Sequence, residues 1–301
     1  LDRPQFAFDY AIQDASGDGI FQTDEEVTLR LFVSNVGEAD SAETLTYVKN
    51  KSDDAIYLEK GRATLESVPK GQTKTVDFKF RVKEKPDKGK VTLEVDIYDQ
   101  TFREFTAKEV AIPFRAEARQ VSKVTGKATV KDGPAKVFVG SDTRASVLGK
   151  AADGGVLPVV ARAGEWLEVD LGGQKGWVQS KYADFEQGAT VKPSTDTFSW
   201  MSFQSPTLRL EPASRLTDAK MVKLTGKIAD NTTVKDYYIF VYHRQDASKV
   251  ESRKVLYRRV GQAETTLEDE VPLFEGMNRI AVVARDDEQM SKQDDIYVYR
   301  K

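Results

Sequence analysis

The chain has 301 residues, of which 31% are charged and 40% hydrophobic, and its formal net charge is −3. This composition is typical of a folded protein, and the length predicts two or three domains. The sequence has no cysteine and one histidine, His243. Disulfides, thiol catalysis and cysteine-based metal sites are therefore excluded, and histidine-based catalysis has a single candidate residue.

The charge and the apolar patterning exclude two further classes of protein. A net charge of −3 argues against a general nucleic-acid binder. The apolar runs are too short for a transmembrane segment. Because the chain begins at Leu1 without a methionine or a signal segment, we expect a processed chain or an excised fragment.

The first 116 residues alternate between apolar and polar side chains. The alternation is clearest in Glu26–Asn35, Thr73–Val82 and Lys90–Asp99, and turn residues separate these runs. A period of two residues is typical of half-buried strands, and several short strands at this spacing favour a β-sandwich. We therefore predict an Ig-like β-sandwich over 1–116.

Residues 117–122 are short, polar and charged, and they predict a linker to a small second domain at 122–187. That domain contains the segment 164–178, which reads as two strands joined by a Gly-rich turn, with Trp166 on one strand and Trp177 on the other. Its short strands predict a small barrel. We place Trp166 in the core, whereas Trp177 is either a core residue or the wall of a ligand-binding groove.

A second linker is predicted at 187–206, and alternation resumes over 207–301. Trp200 in this linker either packs on a neighbouring domain or contacts a partner. The segment Tyr237–Tyr242 is apolar on both faces and predicts a central strand of a second Ig-like β-sandwich. A locally basic run over 243–259 forms a solvated hairpin or docks an anionic partner.

The segment Asp14–Glu25 has the spacing of a twelve-residue calcium loop. Oxygen-bearing groups occur at positions one, three, five, seven, nine and twelve, and Gly19 occupies the turn position. Calcium takes six to eight oxygen ligands, and this spacing curls a short chain around the ion. The predicted ligands are Asp14, Ser16, Asp18, the Ile20 carbonyl, Gln22 and Glu25.

The predicted calcium loop lies in the most acidic part of the chain. Residues 1–116 hold 17 lysines and arginines against 22 acidic residues. The loop is flanked by predicted strands, so a bound ion would have a structural role in fixing the first strand to the sandwich. Glu26 is an alternative to Glu25 as a ligand, and a polar turn that binds no ion is the other interpretation.

Three segments resemble known bacterial modules. The pattern Gly-x-Trp-x-x-Val followed by Gly-x-x-Gly-Trp-Val within 164–178 resembles bacterial SH3-like domains, a family that often binds cell-wall peptides or proteins. The stretch 17–37 resembles CARDB-type adhesion modules, and the segments 271–278 and 284–286 are similar to a bacterial immunoglobulin-like module.

The order of these modules is similar to the region that follows the protease core in carboxyl-terminal processing proteases of Gram-negative bacteria. Those enzymes carry a PDZ domain and a Ser–Lys dyad, and neither has a match here, so no catalytic residue is assigned. The resemblance implies a non-enzymatic region in the periplasm or cell envelope that positions the protease core or its protein substrates. The alternative is a stand-alone cell-envelope protein whose barrel binds peptidoglycan peptides.

Overall fold

Strands dominate the computed structural model, which describes residues 2–193, 196–211, 213–244 and 250–301. The all-β prediction is confirmed. The chain divides into two units, Leu1–Ser202 and Phe203–Lys301. Positions 194–195 of the predicted second linker and 245–249 of the basic run lie outside the described residues. Within the described part, no helix has the length and hydropathy needed to cross a membrane.

The first sandwich has two antiparallel sheets. Its strands are β1 (Phe6–Asp14), β2 (Glu26–Asn35), β3 (Thr44–Asn50), β4 (Ile56–Leu58), β5 (Arg62–Leu65), β6 (Thr73–Val82), β7 (Lys90–Asp99) and β8 (Glu104–Pro113). One sheet has the order β1-β2-β6-β4 and the other the order β5-β3-β7-β8. The sequence alternation explains the arrangement, because Leu29 on β2 and Leu93 on β7 point into the core at 0% exposure while their neighbours point outward.

The second module is a barrel-like sheet in the same unit. It contains β9 (Ser122–Val130), β10 (Ala135–Phe138), β11 (Val147–Ala151), β12 (Val156–Ala163), β13 (Trp166–Asp170), β14 (Lys175–Gln179), a 3-10 turn (Ser180–Tyr182), β15 (Ala183–Gln187) and β16 (Phe198–Trp200). The strand order is β15-β9-β12-β13-β14-β10-β11-β16.

The predicted Gly-turn hairpin is the β13–β14 pair, in which Leu167 lies opposite Val178. The sheet continues beyond the predicted domain end at 187. Strand β16 pairs with β11, so that Ser199 lies opposite Lys150. Trp200 is therefore part of this sheet and 36% exposed, rather than part of a free linker.

The last unit is built around two long strands. Its elements are β17 (Phe203–Gln204), β18 (Thr207–Leu210), β19 (Leu216–Thr217), β20 (Met221–Arg244), β21 (Val250–Pro272), β22 (Gly276–Asp286) and β23 (Ser291–Arg300). The register of β20 shifts between Ala229 and Val234. Before the shift β20 pairs with β18, and after it β20 pairs with β22, which in turn pairs with β23.

Both halves of the long strands contribute to one core. Leu224 from the first half of β20, and Leu267 of β21, which pairs with that half, share a buried cluster with Ile239 from the second half of β20. The segment Tyr237–Tyr242 lies between β21 and β22, which is the central position that its apolar character predicts. A sandwich therefore forms because long strands fold over themselves and bury both layers together.

Candidate functional site: an acidic loop at the joint of the sandwich and the barrel

The predicted calcium loop connects β1 to β2 and is largely buried. Asp18 is 0% exposed, and Gln22 and Glu25 are each 7% exposed. Gly17 and Gly19 both have φ of +73°, a left-handed conformation that glycine adopts without steric cost. The loop is therefore an ordered structural element, unlike an ordinary solvated turn.

Two carboxylates organise the loop by accepting hydrogen bonds from its own backbone. Asp14 accepts from the Ser16 hydroxyl at 2.5 Å, the Asp18 amide at 3.1 Å and the Gly19 amide at 3.2 Å. Glu25 accepts from the Ser16 amide at 3.1 Å and the Gln22 amide at 3.0 Å. The predicted ligands Asp14, Ser16, Gln22 and Glu25 are therefore brought together by the fold.

The side chain of Gln22 lies where oxygen atoms converge. In one orientation of its amide, the Gln22 oxygen lies 2.9 Å from Glu25 Oε2 and 3.1 Å from Ser16 Oγ. In the other orientation the Gln22 nitrogen donates to the same atoms. The second orientation satisfies the hydrogen-bonding groups of the Gln22 amide, so hydrogen bonds from Gln22 help to close the loop.

Asp18 has a different set of partners from the other predicted ligands. Its Oδ1 accepts from the Ile20 amide at 2.9 Å, and its Oδ2 accepts from the Arg119 amide at 2.8 Å. Within the described residues, no three acidic or histidine side chains form a metal-holding group. A cation in this loop would therefore depend on neutral oxygens as well, from Ser16, Gln22 and the Ile20 carbonyl.

Burial makes the negative charge of this loop unfavourable. The pKa of Asp14 is raised from 3.8 to about 6, chiefly because the carboxyl is buried, and further because Glu25 and Asp18 repel its charge. The Ser16 hydroxyl opposes this shift by hydrogen bonding to the carboxylate. A proton or a cation would relieve the same electrostatic strain.

The loop also joins the sandwich to the barrel. The Ser141 amide donates to the Asp18 carbonyl at 3.0 Å, and the Asp18 carboxylate accepts from the linker residue Arg119. The backbones of Gly19 and Gly140 touch, since a Cβ on Gly140 would lie 2.2 Å from the Gly19 carbonyl oxygen. No other residue type fits at this contact without moving one backbone away from the other.

Further side-chain contacts around the loop connect the sandwich to the barrel. The Tyr10 hydroxyl donates to Ser146 Oγ at 2.8 Å, and Gln174 Nε2 donates to the Tyr10 carbonyl at 3.2 Å. Burial raises the pKa of Tyr10 to about 12. Arg115 forms an ion pair with Asp142 at 3.4 Å. The sandwich and the barrel are therefore connected by buried polar contacts and not by the linker alone.

Trp177, the candidate ligand-binding residue, is 2% exposed and belongs to a core cluster with Phe138 and Trp166. Its indole nitrogen would lie 3.4 Å from a Cβ on Gly19, so the acidic loop of the sandwich covers it. Trp166 is 3% exposed and lies in the core as predicted. A ligand could reach Trp177 only if the loop moved away from the barrel.

With this geometry established, comparison with known proteins identifies the second module. Residues 133–184 match the bacterial SH3 domain family. The match covers the barrel strands β10 to β14, the 3-10 turn and the first residues of β15. A search of curated proteins gives no match for the chain.

Solved structures show only distant similarity to the whole chain. The secreted serine protease VesC from Vibrio cholerae has 10% identity and a TM-score of 0.23 over 96% of this chain and 51% of its own. A Salmonella alpha-2-macroglobulin reacted with methylamine has 10% identity and a TM-score of 0.23 over 99% of this chain and 24% of its own. The chain thus spans about half the length of VesC, and at these TM-scores the similarity supports no statement about function.

The buried Asp14 carboxyl predicts how stability depends on pH. Because the pKa of Asp14 is higher in the folded chain, this residue contributes stability that is fully present below pH 3.8 and is lost as the pH rises through about 6. Asp14→Asn has no charge to titrate. In a chelating buffer, its melting temperature should fall less than that of the wild type between pH 4 and pH 7. Equal decreases in the melting temperatures of the two proteins would contradict the raised pKa of Asp14.

The contact between Gly19 and Gly140 predicts a specific defect at the joint. Gly140→Ala should separate the two backbones and destabilise the unit by about 1–3 kcal/mol, as overpacking does. Trypsin should then cleave more rapidly after Arg119, whose backbone and side chain are both hydrogen-bonded in the intact joint. Lys136→Ala, at an exposed position on β10, is the matched control. Unchanged cleavage in Gly140→Ala would refute a role for this contact in holding the joint closed.

Proposed function

We propose that this chain is a non-catalytic interaction region of an exported bacterial protein, located in the periplasm or cell envelope. In this proposal it positions a processing protease or that protease's protein substrates. The match of residues 133–184 to the bacterial SH3 domain supports a binding or scaffold role. The resemblance of the module order to the region after a carboxyl-terminal processing protease core supplies the finer assignment.

The single observation that carries the proposal is the buried joint between the sandwich and the barrel. The Asp18 carboxylate contacts the linker, the backbones of Asp18 and Gly19 contact the barrel, and both modules belong to one unit. A fixed geometry between two modules is what a scaffold requires, because a bound partner is then presented in one orientation.

The sandwich offers sheet edges on which a protein partner could dock. Strand β4 ends one of its sheets and β8 ends the other. The end strand of a sheet has unpaired backbone amide and carbonyl groups. An extended peptide can hydrogen-bond to them and so add a further strand to the sheet. Tyr57 on β4 is 61% exposed and Phe105 on β8 is 49% exposed, so each edge also carries a large apolar side chain.

Calcium is the structural ion of this proposal. The clustering of the Asp14, Ser16 and Glu25 oxygens, together with the raised pKa of Asp14, supports a cation in the loop. Gln22, the Ile20 carbonyl and Asp18 complete the ligand set that the sequence predicts. A divalent ion would neutralise the buried carboxylates and hold the loop in the shape that docks on the barrel.

Calcium binding predicts a measurable stabilisation of the wild-type chain. A bound ion whose free concentration is one hundred times its dissociation constant stabilises a folded protein by about 2.7 kcal/mol. The melting temperature should therefore be higher in millimolar calcium than in a chelating buffer. Glu25→Gln should abolish this difference. Glu26→Gln should preserve it, because Glu26 is the exposed neighbouring residue.

Differential scanning calorimetry gives the melting temperatures, and isothermal titration calorimetry measures binding directly. An absence of heat together with an unchanged melting temperature would show that the loop is closed by hydrogen bonds. If the calcium-dependent rise in melting temperature were lost only in Glu26→Gln, the acidic ligand would be Glu26.

The positioning role can be tested in the bacterium by photo-crosslinking. A photoreactive amino acid at Tyr57 or Phe105 should form covalent adducts with a protease or its substrates, identified by mass spectrometry. The same group at Thr75 is the control, since this exposed residue lies on β6, inside its sheet. Adducts at all three positions alike, or at none, would count against docking at the edges.

The alternative function is a stand-alone envelope protein whose barrel binds peptidoglycan peptides. Sedimentation of the intact chain with purified peptidoglycan distinguishes it from the scaffold role. Retention that is lost in Trp177→Phe would favour the alternative. Burial of Trp177 under the acidic loop is the structural argument against it.

A further inference from the structure

The outer face of the last sheet presents aromatic and cationic side chains across four strands. Side chains alternate between the two faces of a strand, and Ile239 and Val241 of β20 point into the core. The residues between them point outward. Strands β21, β20, β22 and β23 lie side by side here, and their register places the outward residues in rows across the sheet.

Six aromatic side chains occupy this face. Tyr238, Phe240 and Tyr242 form a stripe along β20, with ring centroids 5.5 Å and 6.0 Å apart. The neighbouring strands add Tyr257, Tyr297 and Tyr299, which are 47%, 56% and 45% exposed. The large rings are half-buried or exposed, so they form an extended accessible surface.

Small residues lie on the same face between the rings. Ala281 is opposite Phe240 and Val283 is opposite Tyr238, and they are 1% and 9% exposed. Their short side chains lie lower on the sheet than the neighbouring aromatic rings. The surface is therefore a broad shelf of rings on a regular sheet.

Cations are held on this shelf by carboxylates and by the rings themselves. Arg285 pairs with Asp236 at 2.6 Å and lies over the Tyr238 ring, and Arg279 pairs with Asp295 at 2.8 Å and lies over Tyr242. Such cation–π contacts fix both partners in place.

Two further cations differ in having no carboxylate partner among the described residues. Lys254 lies 4.8 Å from the Tyr238 ring centroid and 4.9 Å from that of Tyr257, and Arg259 is exposed opposite Asp236. The described outward residues of the four strands hold four cations and two carboxylates, so the shelf has a formal charge of +2 within a chain whose net charge is −3.

We propose that this shelf, defined by the six aromatic residues with Lys254 and Arg259, binds an acidic polysaccharide. The apolar C–H face of a sugar ring packs on an aromatic ring, and the regular sheet offers several rings in succession. Lys254 and Arg259 supply charge for carboxylates on the polymer. The hydroxyls of Tyr297 and Tyr299 supply hydrogen-bonding groups for sugar hydroxyls.

Other occupants fit the surface less well. Binding of a nucleic acid depends on neutralising many phosphates, and this chain is acidic overall with two unpaired cations on the shelf. A symmetric dimer would bring two faces of charge +2 together, which is repulsive.

Affinity gel electrophoresis of the whole chain tests the proposal with polygalacturonate as the acidic probe and dextran as the neutral one. Polygalacturonate should retard the wild-type chain, dextran should not, and the retardation should weaken with salt. Tyr297→Ala and Arg259→Gln should each weaken the binding by about tenfold, the loss expected for a central aromatic or arginine contact.

Tyr182→Ala is the matched control, because it removes an exposed tyrosine from the barrel, outside the shelf. It should bind polygalacturonate as the wild type does, and circular dichroism should show that all variants are folded. Three results would overturn the proposal: no retardation by polygalacturonate, equal retardation by dextran, or stronger binding to single-stranded oligothymidylate than to polygalacturonate.

Discussion

The contact between Gly19 and Gly140 is the constraint on which the arrangement of the first unit depends. Two backbones meet there with no side chain between them, and the hydrogen bond from Ser141 to Asp18 lies beside the contact. Because the approach is so close, the loop must keep a single shape. That shape places Asp18 against the linker and covers Trp177 of the barrel.

Burial of carboxylates is the electrostatic consequence of this joint. The fold compensates Asp18 and Glu25 with backbone amides from the loop and the linker. Asp14 also accepts hydrogen bonds, yet its pKa remains raised because burial and its acidic neighbours dominate. A proton at low pH and a cation at neutral pH are two ways to offset the same charge, and so the joint responds to both in the proposed role.

The charged groups of the shelf on the last sheet differ from the buried carboxylates of the joint. The cations of the shelf stay near solvent, where water screens them, and rings and carboxylates hold them in place. The partly exposed Arg279–Asp295 pair contributes little to stability, whereas Arg285 pairs with the buried carboxylate of Asp236 and so has a structural role as well.

By itself, the sequence determined the all-β class and the calcium-type spacing of the acidic loop. Those features are local, because alternation, turn residues and ligand spacing are properties of neighbouring residues. The hairpin carrying Trp166 and Trp177 and the central position of Tyr237–Tyr242 were predictable for the same reason.

Only the tertiary structure decided what these elements touch. The burial of Trp177, the addition of β16 to the barrel sheet and the turn of Asp18 toward Arg119 all join residues distant in sequence. The aromatic shelf likewise depends on the register of four strands, one of which shifts at a bulge. Close packing and strand register follow from the global arrangement of the chain, and no local pattern encodes them.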